Sequence, residues 1–298
     1  MLNMTEADWN FLLGRIKAGR CTPFLGAGAS SETFPLGSEI AREWAKEYGY
    51  PMDDSFDLAR VAQFVAVTED RMTPKDRIQE KFNEIPLPDF ASPDEPHRIL
   101  ADLPFPIYIT TNYDNSMISA LQARHKDPKL ELCRWNSTVK ENEKSIFDID
   151  KDYTPTPANP LVFHLHGHYK VPESLVLTED DYLDFLINIS KDEDVLPLCI
   201  RSAMTRTSLL FLGYKIADWD FRVLFRRIVG YLTISQGRRH ISIQIAPDHE
   251  GISGDKLEKV QKYLEDYYSS DKVRVYWGKY RDFAAELRRR WEENSNGN

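Results

Sequence analysis

Six short apolar runs punctuate the chain: Pro23-Phe24-Leu25, Ile107-Tyr108-Ile109-Thr110, Leu161-Val162-Phe163-His164-Leu165, Leu209-Leu210-Phe211-Leu212, Ile241-Ser242-Ile243-Gln244-Ile245 and Val273-Arg274-Val275-Tyr276-Trp277. Most are continuous and rich in β-branched or aromatic side chains, as strands buried on both faces are. Most gaps between them are too long for hairpins and carry helical patterns, so crossover connections and a parallel α/β sheet are expected. Trp9, Leu12, Leu13 and Ile16 repeat at i, i+3, i+4 and i+7. That spacing predicts a helix near the N-terminus, with Thr5 as its N-cap. Phe221, Leu224, Phe225 and Ile228 repeat in the same way after the fourth run; Asp218 or Asp220 would cap that helix, with Arg226 and Arg227 on its wet side. Trp9 and the two phenylalanines read as core side chains rather than ligand contacts.

Two stretches interrupt this rhythm. Residues 38–101 read as helices with proline-rich ends, and residues 178–207 as a second helical segment around Tyr182-Leu183-Asp184-Phe185-Leu186. Both are expected to pack beside or above the sheet. Pro155, Pro157 and Pro160 make their segment an extended loop, because each proline disfavours helix at the residue before it. The polar residues 292–298 are expected to fray. No internal repeat or low-complexity tract interrupts the chain.

Composition narrows the class without changing this picture. The 298 residues are 42% hydrophobic and 29% charged, which excludes collagen-like and disordered chains and is ample for a core. No run approaches the roughly 20 apolar residues of a membrane span. Met1–Glu6 has neither the basic nor the apolar segment of a secretory leader. The three cysteines, Cys21, Cys133 and Cys199, are far apart and make neither a disulfide framework nor a CxxC pair. A cytoplasmic, metal-poor protein is the expectation. The net charge of -9 argues against direct nucleic-acid binding, while leaving room for a basic patch or a basic partner.

Four constellations carry candidate chemistry. Phe24-Leu25-Gly26-Ala27-Gly28-Ala29-Ser30 runs a buried strand into a glycine pair, where backbone N–H groups can approach a pyrophosphate; a tight strand-to-helix turn reads equally well. Neither GxGxxG nor a Gly-Lys-Ser/Thr phosphate loop is present. Thr110-Thr111-Asn112-Tyr113-Asp114 ends the second strand, where ligands bind in open α/β sheets. Asn112 can orient a sugar hydroxyl or a water, and Asp114 can accept from an amide; an Asx turn is the alternative. His164-Leu165-His166-Gly167-His168 ends the third strand; period-2 spacing would put its three imidazoles on one face, but Gly167 is expected to break the strand, leaving His164 buried and hydrogen-bonded and His168 in the loop. A metal cluster is the lesser reading, since no nearby cysteine adds ligands. A neutral-pH base is the better one, with His166 best placed at the strand end. Finally, Phe211-Leu212-Gly213-Tyr214 meets a glycine before the helix expected at 221–228, with Asp218, Asp220 and Arg222 as caps or ligand contacts.

Taken together and in this order, these elements resemble the Sir2 (sirtuin-like) family of NAD-binding proteins, over about residues 20 to 285. Gly26-Ala27-Gly28-Ala29-Ser30 looks like that family's GAGxS loop. Thr110-Thr111-Asn112-Tyr113-Asp114 looks like its TQNxD element, with Thr111 in place of the glutamine. His166-Gly167 looks like its HG pair. Residues Leu175-Val176-Leu177-Thr178-Glu179-Asp180-Asp181-Tyr182 and the Gly213-Tyr214 element look like the bacterial Sir2-like branch. The resemblance implies a Rossmann-like parallel sheet of about six strands with helical insertions. It would be a single domain over 1–298, its core at 1–37 and 102–298.

The same resemblance implies the site. Gly26, Ala27, Gly28 and Ser30 would cradle the phosphates of NAD+, with Thr111 beside them. Asn112 would position the nicotinamide ribose and the attacking water, Asp114 the carboxamide, and His166 would be the base. Gly213 and Tyr214 would lie near the adenosine half. Tyr280, Arg281 and Asp282, after the last apolar run, are further candidates by position, and a helix start reads equally well. The family's deacylases carry a four-cysteine zinc module and a PDFR segment. Neither is present here, so no structural zinc is expected and an acyl-lysine channel is disfavoured. What remains is hydrolysis of NAD+ to nicotinamide and ADP-ribose, as in anti-phage effectors that deplete NAD+ in abortive infection. The cationic nicotinamide is already a good leaving group, so a site of neutral Asn and His side chains suits its oxocarbenium-like transition state. The alternative is a silent NAD+- or ADP-ribose-binding subunit that gates a partner. Restraint in healthy cells is expected from homo-oligomerisation and from a partner, a HerA-like hexameric ATPase ahead of an Argonaute-like protein, by family analogy alone.

Overall fold

The computed structural model describes residues 4–214, 240–244, 255–269 and 273–296. Seven strands are described: β1 (Cys21–Leu25), β2 (Ile107–Thr110), β3 (Lys129–Leu132), β4 (Leu161–His164), β5 (Ser208–Tyr214), β6 (His240–Gln244) and β7 (Val273–Trp277). They form one sheet in the order β3-β4-β2-β1-β5-β6-β7. Every neighbouring pair is parallel. The six apolar runs all become strands. The seventh, β3, is an edge strand whose Lys-Leu-Glu-Leu sequence carries too little continuous apolar signal to stand out.

Twelve α-helices surround the sheet among the described residues: α1 (Glu6–Lys17), α2 (Gly37–Glu47), α3 (Leu58–Thr68), α4 (Thr73–Glu84), α5 (Pro96–Asp102), α6 (Ser116–Ala123), α7 (Ser137–Asn142), α8 (Ile146–Ile149), α9 (Glu179–Lys191), α10 (Leu198–Arg206), α11 (Asp255–Ser269) and α12 (Tyr280–Asn296). Thr5 caps α1 as expected, in a reciprocal box with Asp8. Residues 155–160 are free of helix and strand. The helix expected at 221–228, with its candidate caps Asp218 and Asp220 and with Arg222, lies outside the described residues. Of the residues expected to fray, 292–296 are instead helical, with Arg288–Glu292 and Arg289–Glu293 pairs one turn apart along α12, and 297–298 lie outside the described residues.

The strands alternate side chains between two cores. Phe24, Ile109, Phe163 and Phe211 point to one face, under α9 and α10. Leu25, Tyr108, Val162, Leu210 and Leu212 point to the other, under α1, α5, α6 and α12. Each fully buried Leu or Phe contributes about 1.5–3 kcal/mol, so burial on both faces explains the unbroken apolar runs. A third cluster joins α2, α3 and α4 through Ile40, Trp44, Val61, Ile78 and Phe82, and meets the sheet domain at Leu175 and Leu177.

Candidate functional site

The carboxyl ends of β1, β2, β4 and β5 set the site. The chain leaves β1 for β2 on one side, while β6 lies beyond β5 on the other, so the order reverses between β1 and β5. Ligands of open α/β sheets bind at such a reversal. Here Gly26 ends β1 and donates its N–H to Leu212 O at 2.8 Å. Residues Ala27–Ala29 then make one 3-10 turn. The Ala29 and Ser30 amides are used within this turn, on Gly26 O and Ala27 O. Those of Ala27 and Gly28 have no hydrogen-bond acceptor among the described residues. Two adjacent unpaired amides are what an anionic phosphate needs.

Gly213 packs on this loop. Its φ is +75°, at a bulge in β5, and a Cβ there would overlap the Ala29 amide nitrogen and come 2.6 Å from the Gly28 carbonyl carbon. The glycine is needed for close backbone approach, so it acts on the loop that Gly28 and Ala29 form. Tyr214 is likewise a brace. Its hydroxyl donates to Leu25 O at 2.9 Å and lies 2.8 Å from Thr111 Oγ1, and its ring packs on Phe24 and Phe211.

Asn112 joins the loop directly. Its backbone N–H donates to Thr110 Oγ1 at 2.9 Å, and its carbonyl is 3.1 Å from His164 Nδ1. Its side-chain Nδ2 donates to Ser30 Oγ at 3.2 Å. Its Oδ1 is buried and has no hydrogen-bond partner among the described residues. Ser30 Oγ is 3.4 Å from His97 Nε2, and His97 Nδ1 is 2.9 Å from Glu95 Oε1. Burial alone would raise the Glu95 carboxyl; hydrogen bonds from His97 and from backbone N–H groups outweigh it and hold the group below its ordinary value. Asp114 is buried, and its Oδ1 accepts the Ser116 N–H at 2.8 Å in an Asx turn.

The three histidines part company rather than sharing one face. β4 ends at His164 and the chain turns over Leu165 and His166 into Gly167, at φ +87°, where a Cβ would meet Ser174. His164 and His168 pack edge-to-face, 4.8 Å between ring centroids. His166 instead packs against Tyr182 and Phe185 of α9. Burial pushes His164 down to about 4 and His166 to about 3, so both are neutral imidazoles at physiological pH. Among the described residues no group of three or more His, Cys, Asp or Glu could hold a metal ion.

A cavity of about 230 Å³ opens on the glycine loop, lined by Gly28, Ser30, His97, Lys279, Tyr280 and Arg281 among others. It brings the loop after β7 to the loop after β1. Tyr280 and Arg281 thus line the same cavity as Ser30, and all three of Tyr280, Arg281 and Asp282 also start α12. Glu95 and His97 also line this cavity and escaped the sequence reading. Glu95 reads as an ordinary helix cap before Pro96, which it also is: its Oε2 accepts the Arg98 N–H at 2.6 Å. Only a histidine directly behind the capping proline hints at more.

The family model for the SIR2-like domain matches residues 106–272. Among curated proteins, the chain is 25% identical over 218 residues to a protein of Cytobacillus dafuensis named NAD(+) hydrolase ThsA, covering 73% of this chain and 39% of the relative. Proteins of the same name from Enterococcus faecium and Bacillus cereus (strain MSX-D12) are each 26% identical, covering 68% and 74% of this chain. The chain spans about two fifths of the length of these relatives.

Proposed function

The chain belongs to the SIR2-like domain family, and from that premise we propose that it hydrolyses NAD+ to nicotinamide and ADP-ribose. The observation that carries this reading is the buried Asn112 Oδ1, an acceptor with no partner among the described residues, one hydrogen bond from the glycine loop. A buried polar atom left unmade costs about 1–3 kcal/mol, so a ligand hydroxyl or water that fills it gains that much. The relatives named as NAD(+) hydrolases support the choice of substrate.

In this reading the amides of Ala27 and Gly28 hold the pyrophosphate, and the cavity beside Tyr280 and Arg281 takes the adenosine half. Asn112 Oδ1 accepts from the attacking water or a ribose hydroxyl. The water oxygen bonds to the anomeric carbon as the C–N bond breaks, its electron pair leaving with neutral nicotinamide. The water's surplus proton goes to solvent. His166, neutral and desolvated, orients by accepting a hydrogen bond and adds no charge to repel a cationic substrate. The enclosure of His166 by Tyr182 and Phe185 favours a second reading, an NAD+- or ADP-ribose-binding subunit that is silent until a partner opens the site.

The cellular role follows by family analogy: a cytoplasmic, homo-oligomeric anti-phage effector restrained by a partner such as a HerA-like ATPase. Among the described residues no helix is long and apolar enough to cross a membrane. Mass measurement of the intact particle, alone and with the partner, tests the assembly. Nicotinamide release from NAD+ tests the chemistry. Asn112→Ala should lower it by about 100-fold or more, with thermal stability retained. Equal release from wild type and Asn112→Ala would overturn the assignment. Binding of a stable NAD+ analogue without turnover, alone or with partner, would favour the silent subunit.

A further inference from the structure

We propose that Glu95 and His97 are positioning residues that fix which end of the Asn112 side-chain amide faces the substrate. The inference deepens the hydrolase reading and rests on it. The four groups form a buried chain from Glu95 through His97 and Ser30 to Asn112, with steps of 2.9, 3.4 and 3.2 Å. An ionised carboxylate only accepts, so His97 Nδ1 carries the proton and donates to it. In the neutral ring, the state the proposal requires, His97 Nε2 is then bare and accepts from the Ser30 hydroxyl. Ser30 Oγ, with its proton committed, offers lone pairs to Asn112 and therefore takes the Nδ2–H end. Asn112 Oδ1 must point the other way, as the unpartnered acceptor.

The backbone of Asn112 is pinned at both polar atoms, by Thr110 Oγ1 and His164 Nδ1, so only its side-chain torsions remain to be set. Without a negative charge at position 95 the polarity is lost. An imidazole protonated at Nε2 donates to Ser30 Oγ and frees the serine proton to bond Asn112 Oδ1. The amide can then flip and present N–H groups where the substrate needs an acceptor. Glu95 thereby reaches the site through three hydrogen bonds without touching substrate.

Glu95→Gln is the decisive variant, because a glutamine oxygen can still cap the Arg98 N–H while its amide cannot accept from His97. Outer partners that orient a metal-ligating histidine typically carry about 10- to 100-fold of activity, and the same scale is expected for a partner that orients His97. Glu95→Gln should therefore lower kcat for nicotinamide release by at least about tenfold, with KM and ADP-ribose affinity within about twofold. In a Ser30→Ala background, where the chain is already cut, it should cost nothing further. An unchanged kcat, or losses that multiply in the double variant, would overturn the proposal. The tautomer is read independently in the full chain with isotope-labelled histidine, His97 being assigned by its loss in His97→Asn. Wild type should show the Nδ1–H form and Glu95→Gln the Nε2–H form. An Nε2–H or doubly protonated His97 in wild type would refute the chain outright. Absence of nicotinamide release from wild type both alone and with its partner would instead sink the hydrolase reading, and the tautomer measurement would still decide the relay.

Discussion

At the scale of single residues, two glycines do more for the site than their lack of a side chain suggests. Gly213 sits at φ +75° with its α-carbon against the backbone of Gly28 and Ala29. Gly213→Ala should cost at least about 2 kcal/mol in chemical unfolding, because both the torsion and the contact oppose a methyl group. It should also push the glycine loop outward and raise KM for NAD+. Gly167 has the same double requirement at Ser174. These two positions were visible in sequence as glycines after strands, but their contacts were not. A glycine after a strand is compatible with a ligand or with a neighbouring backbone, and here the neighbour at Gly213 is the phosphate-loop candidate itself.

At the scale of elements, the helical cluster of α2, α3 and α4 is tied to the sheet domain by one buried ion pair. Lys75 of α4 donates to Asp181 Oδ1 of α9 and to Leu175 O, both at 2.9 Å, and lies 5.6 Å from the Trp135 ring centroid. Burial lowers the Lys75 ammonium, against the pull of Asp181. Asp181 Oδ2 also accepts the Leu177 and Thr178 amides, so the pair anchors the start of α9 as well. Lys75→Met would leave that carboxylate buried and uncompensated, with an expected loss of about 3–5 kcal/mol. Adding Asp181→Asn to Lys75→Met should recover part of the loss, since the amide carries no charge and keeps an acceptor for the backbone. Urea titration of the single and double variants measures both.

At the scale of the whole molecule, the buried imidazoles make stability depend on pH. His164 and His166 titrate near 4 and 3 when folded, because burial penalises the charged ring, against about 6.5 unfolded. Between those values the unfolded chain binds more protons than the native one. Their stabilisation is therefore complete above about pH 6.5 and is lost as pH falls toward the folded values, by up to about 1.4 kcal/mol per histidine per pH unit. The unfolding midpoint should drop between pH 7 and pH 5. A midpoint that stays level or rises over that range would mean that these rings are solvated in the native state. The same burial keeps two cations out of the site, which in the proposed hydrolase suits a substrate whose pyridinium ring is itself cationic.

What the sequence determined was everything carried by short-range pattern. Continuous apolar runs marked β1, β2, β4 and β5, because a strand covered on both faces has few polar positions to spare, and alternating runs marked β6 and the edge strand β7. Glycine, asparagine and histidine at strand ends marked the candidate site, because a strand's carboxyl end is where such residues leave the core. β3 escaped because an edge strand can alternate Lys, Leu and Glu. Tertiary structure alone decided how these pieces meet. Ser30 reaches Asn112 across 82 residues and His97 across 67. His166 separates from His164 because β4 ends at His164 and the chain turns over Leu165 and His166. Hydrogen-bond direction, and with it the end of Asn112 offered to a substrate, is a property of groups brought together by folding, and no local spacing encodes it.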